Sequence, residues 1–90
     1  MTPKEVCNTL ADKYESGEIT WIQGYRGKDK TCCCILFGLG FVTGQSSLFY
    51  EAKDLVRALI PDEYHGIASW NDMEGRTLEQ VLFLLRRAGK

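Results

Sequence analysis

Ile67-Ala68-Ser69-Trp70-Asn71-Asp72-Met73-Glu74-Gly75-Arg76-Thr77 decides how this chain is read, because a turn rich in side-chain acceptors leads directly into a helix start. Asn71 and Asp72 can each accept from a backbone N–H two residues on, Gly75 can take a positive φ, and the Trp70 ring can plug a core beneath the turn. Arg76 is placed to pair with Asp72 or Glu74 and so fasten the turn to the final helix. On this reading Trp70, Asn71, Asp72, Arg76 and Thr77 are a structural turn. The functional alternative makes Asp72 and Arg76 an acid and an anchor around a bound ligand. Capping and turn residues of these types are common without any ligand, which favours the structural reading.

Downstream, Thr77-Leu78-Glu79-Gln80 is a capping box, with Glu79 at the positive helix start and Arg86, Arg87 and Lys90 at the negative end. Leu78, Val81, Leu82, Leu85 and Ala88 form one apolar stripe. Phe83 and Leu84 fall outside it, so this helix is either wrapped by other elements or leaves a strip for a partner; burial is the expectation, because large exposed patches are rare.

Upstream, Thr2-Pro3-Lys4-Glu5 is a second capping box with proline at the first helical position, followed by Val6, Leu10 and Tyr14 at four-residue spacing. This predicts a helix from Pro3 to Ser16, closed by Gly17. Ile19-Thr20-Trp21-Ile22 is β-prone and short, and Gln23 to Lys30 suits an exposed loop. Cys32 to Val42 fits either a buried strand or a helix weakened by Gly38 and Gly40; the helix is preferred, with Thr31 as its cap and the two glycines allowing a neighbouring helix close approach. Gly44-Gln45-Ser46-Ser47 supplies a turn and cap for Leu48, Ala52, Leu55, Val56 and Leu59, which run at helical spacing until Pro61. The fold expected is mainly α: residues 1–90 as a single compact helical domain, a bundle of about four helices, with at most one short β pairing near residues 19–25.

Composition bounds the function. Ninety residues at 44% hydrophobic content can furnish one core without metal or cross-links. Eleven basic residues against 12 acidic ones, a net charge of -1, argue against a nucleic-acid partner and suit a protein surface. No basic segment leads into an apolar run and no stretch approaches the roughly 20 apolar residues that span a bilayer, so no membrane partner and a cytoplasmic location are expected. Of the four cysteines, three are consecutive at Cys32, Cys33 and Cys34, a poor disulfide layout that favours reduced thiols.

Candidate chemistry is sparse, and no catalytic residue or cofactor is assigned. Cys32, in the first turn of the expected central helix, could be activated by the helix dipole with His65, the one histidine, as its base. Buried cysteines behaving as small hydrophobes are the plainer reading. Zinc ligation by Cys7, the cysteine run and His65 fails on spacing, since adjacent residues point in different directions, and no metal is expected. Tyr25, Arg26, Lys28 and Lys30 mix an aromatic ring with positive charge near Trp21 and could meet an anion, but no glycine-rich run joins a strand to a helix there.

Trp70-Asn71-Asp72, Gly75-Arg76-Thr77 and Val81 with Leu84-Leu85 resemble the C-terminal signature of a family of small bacterial and phage proteins known only as a domain of unknown function. Trp21-Ile22-Gln23-Gly24 is similar to that family's Trp-x-x-Gly turn, and Cys34-Ile35-Leu36-Phe37-Gly38 to its cysteine followed by a small-residue apolar helix. Leu39 departs from the family's alanine, and the cysteine run is heavier than its pattern. The resemblance implies a helical fold and a phage or mobile-element setting in a bacterial cytosol, and brings no reaction with it. Together with the missing catalytic set, it points to a small non-enzymatic module that binds and modulates a host protein, such as a defence or transcription component. Trp21, Tyr25, Arg26, Lys28 and Phe83 are the candidate contact residues. The alternative is a small thiol enzyme using Cys32 with His65.

Overall fold

The computed structural model describes residues 1–24, 31–44 and 46–90. Helix α1 (Pro3–Ser16) begins where expected: the Thr2 hydroxyl accepts from the Glu5 N–H at 3.1 Å and the Glu5 carboxylate accepts from the Thr2 N–H at 2.8 Å. The Thr2 backbone N–H, and then the Thr2 hydroxyl, hold the Glu5 carboxyl below its ordinary pKa. Gly17, at φ 82°, closes the helix in the left-handed conformation that glycine adopts without steric cost.

Two short strands come next, β1 (Thr20–Trp21) and β2 (Cys32–Cys33), paired in parallel with Thr20 opposite Cys32 and Trp21 opposite Cys33. Helix α2 (Ile35–Thr43) then packs on α1. Expecting a helix from Cys32 with Thr31 as cap is therefore wrong by three residues. The reason is long-range: the Thr31 carbonyl accepts from the Thr20 N–H, and the Cys33 carbonyl accepts from both the Ile22 N–H and the buried Tyr14 hydroxyl. Those partners lie outside any local sequence window.

Gly44, at φ 66°, ends α2, and α3 (Ser47–Arg57) stops short of Pro61. A 3-10 turn (Asp62–Tyr64) leads into α4 (Ile67–Asn71), and α5 (Leu78–Ala88) completes the chain. The protein is mainly helical, with five α-helices among the described residues where about four were expected. The additional helix is the start of the Trp-Asn-Asp segment, which winds into a helical turn and breaks only at Asp72; Gly75, at φ 86°, supplies the positive φ.

Helix α1 is the centre of the molecule, packed against α5, α3 and α2. Its buried face, Val6, Cys7, Leu10, Ala11 and Tyr14, joins Ile35 and Leu39 of α2, Ala52 and Val56 of α3, and Val81, Leu84, Leu85 and Ala88 of α5 in one apolar cluster. Gly38 lets α2 approach closely, since a Cβ there would stand 2.7 Å from Leu10 Cδ1 and 3.1 Å from the Tyr14 hydroxyl. On α5 the Thr77–Gln80 capping box forms as read, but the apolar stripe is shifted: Leu84 is buried and Phe83 is 66% exposed. Expecting burial of both is thus wrong for Phe83. A face about 100° wide suffices against a single neighbouring helix, and α1 is the neighbour that α5 mainly meets.

Candidate functional site

The polar residues singled out in the sequence converge on one place, where α4 meets the segment 21–24 and the start of α2. Asn71 is 1% exposed, and it is the buried polar side chain of the core among the described residues. Its Oδ1 accepts from Trp21 Nε1 at 2.7 Å and from the Ile35 N–H at 3.2 Å, and its Nδ2 donates to the Ile22 carbonyl at 3.1 Å and to Asp72 Oδ1 at 2.9 Å. Burial of an amide requires such partners, and here both ends of the group have them.

Asn71 thereby performs a task that the sequence assigned elsewhere. Cys34 stands at the N-cap of α2 but makes no side-chain cap bond, while the first helical amide, Ile35, is met by the Asn71 side chain from 36 residues away. The same oxygen orients the Trp21 indole, so the strand end, the helix start and α4 share one acceptor.

The clasp continues outward. Gln23 Nε2 donates to the carbonyls of Asn71 at 3.1 Å and Met73 at 2.8 Å, and the Gly24 N–H donates to Asp72 Oδ1 at 2.8 Å. Asp72 therefore serves an amide 48 residues distant rather than one two residues on. Gln23 is not among the candidate residues of the sequence, because an amide side chain beside a glycine in a polar stretch carries no local signal of this role.

Arg76 also differs from its sequence reading. Its guanidinium lies 3.8 Å over the Trp70 ring and 5.5 Å from the Tyr64 ring, and Nε donates to the Trp70 carbonyl at 2.9 Å, with no ion pair to Asp72 or Glu74. A planar guanidinium stacked on an indole gains cation–π attraction and covers the ring face. Trp70 itself is 8% exposed.

The other candidate residues lie apart from this cluster or beyond the described chain. Trp21 is half-buried and engaged with Asn71, and Phe83 is exposed on α5 with the Arg87 guanidinium 5.9 Å from its ring. Tyr25, Arg26 and Lys28 lie outside the described residues, as does Lys30. Cys32 sits in β2 rather than at a helix start, so the dipole argument for its activation does not apply. His65 is exposed at the end of the 3-10 turn with φ 57°, and the cleft that it lines includes no cysteine among the described residues. No cluster of three or more metal-ligating side chains occurs among the described residues, and no helix there is long and apolar enough to cross a membrane.

A family model matches residues 18–90, from just after α1 to the end of the chain. The chain belongs to DUF6197, a family of unknown function. The matched part contains every member of the Asn71 clasp, while α1 precedes it. Neither the curated proteins nor the solved structures contain a match to this DUF6197 chain.

Proposed function

We propose that this DUF6197 protein is a non-enzymatic interaction module, an accessory protein of a phage or mobile element that acts in the bacterial cytosol by binding and modulating a host protein. The observation that carries this reading is the solvent-facing pair on α5: Phe83, 66% exposed, with Arg87 against its ring. Aromatic and arginine side chains are enriched at the cores of protein interfaces, where each buries a large contact area. Three polar side chains around the Trp-Asn-Asp turn, Asn71, Asp72 and Gln23, are bonded within the chain.

The test is capture from host lysate with the wild-type chain and Phe83→Asp in parallel, with circular dichroism to check that both are folded. The wild type should retain a stoichiometric partner that Phe83→Asp holds about tenfold less tightly, the loss expected for one interface anchor. Failure to enrich a partner, or equal retention by Phe83→Asp, would count against the module.

The alternative, a thiol enzyme based on Cys32, has one observation in its favour: Cys32 is half-buried, whereas Cys7, Cys33 and Cys34 are buried. It requires Cys32 to react with iodoacetamide at neutral pH far faster than an unstructured cysteine peptide does. A rate equal to the peptide's removes it.

A further inference from the structure

Three exposed side chains run along the outer face of α5 at four-residue spacing: Glu79, Phe83 and Arg87. Successive members stand about 6 Å apart along the helix axis, so an acid and a base flank the aromatic ring at equal distances. We propose that this face binds a second copy of the chain, with the two α5 helices antiparallel about a two-fold axis that passes between their Phe83 rings.

Neither flanking charge is matched within the chain. Glu79 and Arg87 have no ion-pair partner among the described residues, whereas the adjacent Arg86 meets Asp12 at 2.6 Å and Glu15 at 2.8 Å. The Arg87 guanidinium lies instead 5.9 Å from the centre of the Phe83 ring. The helix dipole favours an acid at the start of α5 and a base at its end. It does not account for an aromatic ring left 66% exposed midway between them.

A two-fold axis accounts for all three. Such an interface uses the same patch on both subunits, so the patch must be complementary to itself. With Phe83 at the axis, Glu79 lies about one turn to one side and Arg87 about one turn to the other. Reversing the second helix brings each Glu79 opposite the second copy's Arg87, and the two Phe83 rings meet between the charge pairs. A parallel arrangement would set Glu79 against Glu79 and Arg87 against Arg87, and like charges face to face repel, so the pattern selects the antiparallel one. Rows of side chains four residues apart are also the ridges by which helices most often pack.

A contact one helix wide belongs to the weak class of interfaces, which suits a reversible dimer. The host protein proposed above needs the same ring, so the second copy competes with it for α5; this regulatory role rests on the host-binding reading, while the dimer itself does not.

The experiment is sedimentation equilibrium of the purified full chain, at concentrations up to about 1 mM because a small interface binds weakly. The wild type should show a reversible monomer–dimer equilibrium. Glu79→Arg and Arg87→Glu, each checked for folding by circular dichroism, should each lose self-association by about tenfold or more, since each sets like charges opposite one another. Mixed in equal amounts, the two variants should associate again, because the mixed pair alone places opposite charges at both positions. Phe83→Ser, at a solvent-facing position, should also weaken self-association about tenfold. A wild type that stays monomeric, two folded charge variants that fail to associate when mixed, or a dimer unaffected by any of the three substitutions would overturn the proposal. These measurements contain no host protein, so their failure is distinct from a failure to capture one.

Discussion

Asn71 shows how much one side chain can determine. Its amide satisfies the Trp21 indole, the Ile35 N–H and the Ile22 carbonyl at once, so Asn71→Ala would strand three polar groups in a partly dry setting. Each such group costs about 1–3 kcal/mol when left without a partner, and a loss of roughly 3 kcal/mol or more is expected in a denaturant melt. Asn71→Asp should recover part of this, because it keeps the acceptor for Trp21 and Ile35. A melt of Asn71→Ala within about 1 kcal/mol of the wild type would mean that water replaces the amide and that the clasp is not a unit. The importance of Asn71 was legible in the Trp-Asn-Asp segment, but its partners were not. Asparagine beside aspartate reads as a local turn former, and nothing in a linear window shows that Trp21 and Ile35 will arrive within hydrogen-bond reach.

Among the helices, the starts of α1 and α5 came from local chemistry, and contacts did not. Both capping boxes formed because each is closed within four residues. The Cys32–Val42 segment divided into a strand and a helix because Thr20, Ile22 and Tyr14 claim its first carbonyls. Gly38 tests the packing of α1 on α2. Gly38→Ala gains up to about 1 kcal/mol of helix propensity, while overpacking against a fully buried Leu10 costs about 1–3 kcal/mol. The variant should therefore be less stable by up to about 2 kcal/mol in the same melt. A clear gain in stability would show that Leu10 can turn aside and that the close approach is not constrained. The packing of α1 on α5 is held by a second kind of contact. Arg86 donates to the Asn8 carbonyl and to the carboxylates of Asp12 and Glu15, and Asn8 Nδ2 donates to the Gly89 carbonyl.

Across the whole molecule, α1 has a role that its position outside the matched segment does not suggest. It contributes Val6, Leu10 and Tyr14 to the shared core and its Tyr14 hydroxyl caps a carbonyl of β2. A chain beginning at residue 18 is expected to lose its cooperative thermal transition, whereas adding the peptide 1–17 back should restore helicity; a sharp transition in the truncated chain would show that α2, α3 and α5 suffice alone. The buried thiol of α1 also makes stability depend on alkaline pH. Burial pushes Cys7 from its ordinary value of 9.0 up to about 11, and burial likewise raises Tyr14 above the normal phenol range. Between these values the unfolded chain releases the Cys7 proton and the folded chain keeps it, so stability is complete below about pH 9 and falls as pH rises towards 11. Urea melts across that window should decline more steeply for the wild type than for Cys7→Ala; parallel declines would place the titration elsewhere.

Local chemistry alone set the helical class, the ends of α1 and α5, the break at Gly44 and the turn at Gly75, because capping hydrogen bonds, apolar periodicity and glycine's access to positive φ act over a few residues. Folding settled that Cys32–Cys33 pair as a strand, that Asn71 caps α2 from afar, that Arg76 stacks on Trp70 instead of pairing with an acid, and that Phe83 rather than Leu84 faces solvent. Each of those outcomes depends on which distant group reaches a given donor, acceptor or helix face, and only the folded chain brings those groups together.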